Sequence, residues 1–432
     1  MKLEAVCAGI KAEIYGLLEE KDMRRITFFL IGVIGIILLL GNRSGIGVQA
    51  AEYKVGRTQE TEDGEYEDRE EIVSQYYDSF DESAGIADLE EELADINRRY
   101  GKQEKVSFKE VYQLLLAGDV EEAIGQALEN FFESVTSEIS QNKELLVKMI
   151  VLVIIAAIFN NYSSIIKFSY VGEQGFYITY LMIAALLMQS FFLAYDVAEE
   201  TVYYIRDIME CLLPAFYMSI VMCSGFTTSH MVNSMFLWML SFLEKVLLMV
   251  ILPAIRIYFL IVVLNQINTK DRFSKLAGLL KQGIQFLLKA IVTGIIGLNV
   301  MKSILVPVYD NAKYNVLQKG LSVIPGGASL SGLSTILIGA GVLIKNSVGL
   351  AAVMILLVLG GIPILKLFCF YVVYKVILAM VQPISDNRIL AGIQGAADST
   401  GILLRAATTS IVLSVLSIAI IILTTNVRLY AG

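Results

Sequence analysis

Apolar and polar positions divide the chain in two. From Leu145 onward, apolar runs recur with short polar breaks: Leu145 to Ile166, Phe176 to Val197, Cys211 to Cys223, Phe236 to Asn265, Ile284 to Val306, Val348 to Gly361, Ile364 to Val381 and Ala407 to Thr425. Several approach the roughly 20 residues that cross a bilayer. Before them the pattern is amphipathic. Ile86, Leu89, Leu93, Ile96 and Tyr100 recur at helical spacing, as do Ile124, Leu128, Phe131, Val135 and Ile139. Between them Ser107 and Glu110 have capping-box spacing, Gly118 stops a helix, and Asp119 can cap the next. The expected fold is all-α: a polytopic membrane helix bundle with an internal repeat, and a small helical extracytoplasmic domain ahead of it.

The repeat rests on five patterns in one order, offset by 110 to 116 residues. Leu213-Pro214 matches Ile324-Pro325. Pro253-Ala254-Ile255-Arg256 matches Pro363-Ile364-Leu365-Lys366. Leu276-Ala277-Gly278 matches Leu390-Ala391-Gly392, and Gln282-Gly283 matches Gln394-Gly395. Leu287-Leu288-Lys289-Ala290 matches Leu403-Leu404-Arg405-Ala406. Related halves often flank a central path in transport proteins. Pro214, Pro253, Pro325, Gly326, Gly327 and Pro363 are therefore the expected hinge and packing positions.

Six segments follow: an N-terminal extension and signal peptide (1–50), an acidic linker (51–85), the helical domain (86–143), two transmembrane helices (144–207), repeat 1 (208–306) and repeat 2 (307–432). Within the first, Met23-Arg24-Arg25 precedes the apolar run Ile26 to Leu40, with small residues up to Ala50. That is the pattern of a secretory signal cut after Ala50, with Met23 a candidate start. Asp196 to Asp207 reads as a short acidic loop on the same side as the soluble domain. The bases of the Gln266 to Gly283 linker place that linker in the cytoplasm. Six to eight spans are expected, depending on whether each proline-led opening segment crosses or turns back.

Composition sharpens the division. The 432-residue chain is 56% hydrophobic with a mean hydropathy of +0.65. Residues 51–143 hold 25 acids and 9 bases, whereas residues 144–432 hold 12 acids and 19 bases. The acidic part argues against nucleic-acid binding. Cys7, Cys211, Cys223 and Cys369 form no Cys-x-x-Cys pair and no metal-ligand spacing.

Chemistry is sparse. Ser224 and the single histidine, His230, could make an intramembrane hydrolase only if brought within hydrogen-bond reach in a turn-rich loop; a loop histidine is the plainer reading. Pro325-Gly326-Gly327-Ala328-Ser329 lacks the Gly-Lys-Ser/Thr ending of a phosphate loop. No catalytic residue, cofactor or metal site is expected. Of the charges in apolar sequence, Arg256, Lys366 and Lys375 can snorkel to an interface. Glu244 and Lys345 are the most deeply flanked, which makes them the candidate buried or path-lining groups.

The chain resembles the stage III sporulation protein AE family. The likeness lies in Val323-Ile324-Pro325-Gly326-Gly327, in Leu343-Ile344-Lys345-Asn346-Ser347-Val348-Gly349 and in Gln382-Pro383-Ile384-Ser385-Asp386-Asn387-Arg388-Ile389. The resemblance implies a non-enzymatic membrane component of a channel or secretion-like complex between mother cell and forespore. It would sit in the mother-cell membrane around the forespore, with its N-terminal domain extracytoplasmic. The implied partners are other stage III A-operon proteins, a secretion-type ATPase among them, the forespore-side protein Q complex, and the lipid bilayer. The alternative from the residues is a permease moving a small solute between the two repeats.

Overall fold

The computed structural model describes residues 79–102, 106–141, 147, 151, 171–224, 239–267, 272–321, 327–382 and 387–424. The expected signal segment, His230, Pro325 and Gly326 lie outside them.

Three short helices form the N-terminal domain: α1 (Ile86–Arg99), α2 (Phe108–Ala117) and α3 (Val120–Gln141). Gly85 takes a left-handed conformation (φ 59°) that leads into α1. The Ser107 hydroxyl accepts from the Glu110 amide at 3.2 Å and starts α2. Gly118 ends it at φ 87°. The domain starts earlier than the periodicity places it, inside the expected linker: Phe80 is helical and fully buried, 6.2 Å from the Tyr112 ring. Along α3, Ala123 and Ala127 face inward, while Leu128 is half exposed.

Five helical stretches among the described residues are long and apolar enough to cross a membrane: Tyr180–Val221, Met239–Asn265, Ser274–Gly297, Ala340–Ala379 and Asn387–Ala419. The chain is a multi-pass membrane protein. Three helices dominate: α4 (Val171–Ser224), α7 (Gly327–Val381) and α8 (Asn387–Thr424). Two further helices flank them: α5 (Leu252–Asn265), entered through a π-helical turn at Leu247–Ile251, and α6 (Ser274–Leu321).

The register of the long helices is readable from their contacts. Ser190 of α4 shares a hydrogen bond with Tyr374 of α7. A Cβ on Gly360 would meet Ile205, and one on Gly349 would meet Phe216. The two helices are therefore antiparallel. Gly349 also faces Ile422, Gly360 faces Ile411 and Gly401 faces Tyr371, so α8 runs antiparallel to α7. These glycines let apolar side chains lie against helix backbone, the usual reason for small residues between membrane helices.

Three segments differ from the pattern-based reading. The acidic stretch Asp196 to Asp207 is helix, not loop, and it joins its neighbours into the single 54-residue α4. Helix α4 also passes straight through Pro214, and α7 passes through Gly360-Gly361-Ile362-Pro363. Proline removes one backbone donor and crowds the preceding turn, but neighbouring helices can offset that inside a bundle. Pro253 instead sits in the first turn of α5, directly after the π turn, where the missing N–H costs little. Gly327 opens α7.

Candidate functional site

Two buried charges stand out in the bundle. Glu244 is 2% exposed and Lys345 0%. They lie at different heights, and the fold gives them different surroundings.

Lys345 sits on α7 four residues before Gly349, on the stretch that faces the end of α8. Its Nζ donates to the carbonyl oxygen of Ile422 at 3.2 Å. That carbonyl belongs to α8, two residues before the last described one, Thr424. The bond gives a fully buried ammonium a backbone oxygen in place of water. Asn346 Oδ1 and Ser347 Oγ beside it are buried and make no hydrogen bond among the described residues.

Glu244 sits just ahead of the π turn. Its Oε1 is buried and makes no hydrogen bond among the described residues. Arg206, Glu210 and Asp207 of α4 are the charges acting on it. Arg206 donates from Nη2 to Asp207 Oδ1 at 2.9 Å and lies 3.7 Å from Glu210 through Nε. One guanidinium thus contacts two carboxylates, and its charge bears on a third, Glu244. A π turn next to such a group is a common mark of a functional position.

The same stretch of α4 holds the N-terminal domain. Tyr100 donates to Asp207 Oδ2 at 2.8 Å, and Arg99 approaches the same oxygen at 3.5 Å. Tyr204 donates to Asn97 Oδ1 at 2.6 Å. The Cys211 thiol points at the carbonyl of Leu89, 3.7 Å away. The ring of Phe131 on α3 packs on Gly361 of α7, where a Cβ would stand 3.0 Å from it. Lys102, Glu200, Tyr204, Pro363 and Lys366 line a crevice along this seam. Burial, then the neighbouring Asp207 carboxylate, pushes the Tyr100 phenol well above its ordinary range, so it stays protonated and keeps donating.

Sequence reasoning singled out Glu244 and Lys345 but missed this clamp. Tyr100 entered only as the end of an apolar stripe, and Asp207 as a loop residue. A signal was present: Val197, Thr201, Tyr204, Ile205 and Ile208 recur at helical spacing through the acidic stretch, and all are buried. Among the expected hinge positions, the structure brings Pro363 to the clamp, leaves Pro214 exposed on α4 and puts Pro253 next to the π turn. No group of histidine, cysteine and carboxylate side chains suited to a metal occurs among the described residues.

The family model for stage III sporulation protein AE matches residues 106–425. This chain belongs to that family. A stage III sporulation protein AE from Bacillus subtilis (strain 168) is 22% identical over 356 residues, covering 82% of this chain and 87% of the relative. No solved structure matches. In this chain the N-terminal helical domain lies against the bundle, held by side chains from α1, α3, α4 and α7.

Proposed function

We propose that the chain is a non-enzymatic membrane platform in a sporulation-specific complex between mother cell and forespore. The observation that supports this reading is the clamp. A domain tethered by a flexible linker could move freely, but this one is fixed to the bundle through Tyr100–Asp207, Tyr204–Asn97 and Phe131–Gly361. Rigid mounting suits a part that holds other components at a set position and orientation. The family membership supplies the sporulation role. The proposed neighbours are the other stage III A-operon proteins, including the secretion-type ATPase, and the forespore-side protein Q complex. The N-terminal domain would face the space between the two membranes.

The test is made in sporulating cells with the full chain carrying Asp207→Ala together with Tyr204→Phe. The variant is expected to accumulate normally and to lose both late forespore gene expression and co-purification of the operon ATPase. Normal spores from cells producing this double variant would overturn the platform reading.

A further inference from the structure

The three long helices are too long for one membrane. From Tyr180 to Phe216, α4 keeps α7 and α8 beside it, with contacts at Tyr180–Gly392, Ser190–Tyr374, Ile205–Gly360 and Phe216–Gly349. At about 1.5 Å per residue that shared length is roughly 54 Å. The hydrocarbon core of a bilayer is about 30 Å thick. Close to half of the bundle must therefore stand outside it, although every segment is apolar enough to be read as a span.

Two observations decide which half. The first is the position of the N-terminal domain. Helix α1 runs along α4 from Leu89 beside Cys211 to Asn97 beside Tyr204, and Lys102 stands over the Tyr204 ring. The outer face of α1 carries exposed Glu91, Glu92, Asp95, Arg98 and Arg99. Hydrocarbon cannot surround so many charges. The bundle between about 197 and 211 of α4 is thus beside water.

The second is where apolar side chains lack cover. In the tier clasped by the domain, residues 340–363 of α7 and 402–419 of α8 are all buried or half-buried, and along 204–221 of α4 only Glu210 and Pro214 are exposed; its exposed apolar side chains include Phe132 of α3 and Phe242, Met249 and Val250 around the π turn. In the other tier the apolar side chains point outward: Ile178, Leu181 and Met182 of α4, Ile257 and Leu264 of α5, and Leu276, Leu279 (70% exposed) and Phe286 (69%) of α6. Its polar groups suit a bilayer. Arg272, Lys275 and Arg388 lie toward one edge, and Asp196, Glu199 and Glu200 mark the other. Between them, Lys281 is paired with Asp398 at 2.7 Å and Arg256 stacks over Phe192. From Ile178 to Val197 is 20 residues, or about 30 Å of helix.

We propose that the bilayer wraps only this lower tier, its acyl chains covering the belt from Ile178 to Phe286, while the upper tier stands in water, clad by the N-terminal domain. The apolar stretches 208–221, 340–362 and 406–419 are then the core of a protruding pedestal and not membrane crossings.

Spin-label accessibility tests this on the full chain in phosphatidylcholine–phosphatidylglycerol liposomes. Single cysteines replace Leu181, Leu279 and Phe286 in the lower tier, and Glu91, Tyr203 and Glu210 in the upper, with Cys7, Cys211, Cys223 and Cys369 changed to alanine. Lower sites are expected to collide with oxygen and not with a water-soluble nickel chelate; upper sites are expected to show the reverse. Nickel access at the lower sites, or oxygen-only access at the upper ones, overturns the proposal. Lower sites shielded from both reagents would mean a second protein copy covers the belt, which also overturns it. Since replacing Cys211 could loosen the clamp, the unaltered chain is also labelled with a photoactivatable acyl-chain lipid. Adducts are expected within 178–182, 257–264 and 276–286; adducts concentrated in 208–221 or 340–362 would refute the assignment.

Discussion

At the scale of single residues, burial turns charge into a structural device. Lys345 has lost its water and gained a backbone carbonyl of α8. Lys345→Met keeps the stem volume but removes the donor to Ile422, and a buried acceptor left unmade costs about 1–3 kcal/mol. Thermal unfolding of the purified chain is expected to fall accordingly. Glu244→Gln is expected to be milder, because Arg206 retains Asp207 and Glu210. Normal sporulation with both substitutions would remove the permease reading, which needs these two groups on a path. Tyr100 gives a pH dependence. Its phenol is held neutral in the folded state above the range where an unfolded tyrosine titrates, near pH 10. The stabilisation it supplies is complete below that pH and declines as pH rises through it; protease release of the N-terminal domain, followed against pH, checks this.

At the scale of elements, glycines separate packing from exposure. Gly349 has no room: a Cβ would lie 2.5 Å from Ile422 Cδ1 and 3.0 Å from Phe216. Gly349→Ala is expected to cost about 1–3 kcal/mol through overpacking. Gly283 on α6 has nothing within 4 Å, so Gly283→Ala is expected to be neutral or stabilising by up to about 1 kcal/mol. Detergent-solubilised melting curves of the two variants should move in opposite directions. Element type was legible from hydropathy and periodicity, and the Ser107 start and Gly118 stop of α2 followed from cap chemistry. Element length was not. Acidic residues and prolines are strong local signals for a break, and Asp196 to Asp207 and Pro363 carried them. Their helices continue because partners on α1, α3 and α8 bury the other face of the same turns, and no local pattern shows a partner distant in sequence.

At the scale of the whole molecule, the arrangement is one bundle carrying one mounted domain. Glu244 was legible as a buried charge because apolar sequence surrounds it. Its neighbours were not, because Arg206, Asp207 and Glu210 come from another helix; nor was the clamp, to which Asn97 and Tyr100 come from another domain. The clamp should therefore behave as a unit. Tyr100→Phe and Tyr204→Phe are each expected to have small effects and to act more than additively together, since either bond alone keeps α1 seated. Limited proteolysis of the two single variants and the double variant measures that coupling.

The bond from Lys345 to Ile422 has a consequence for how the chain is made. Synthesis runs from the N-terminus, so Lys345 is complete long before the acceptor it needs. Until the final helix arrives, the Ile422 carbonyl that the Lys345 ammonium donates to in the finished fold is missing. A ribosome that stops before residue 422 leaves a product whose bundle cannot close, and membrane proteases would then meet an open lesion. The last helix works as a completion signal: newborn chains truncated ahead of it should be short-lived, and Lys345→Met should lengthen their half-life.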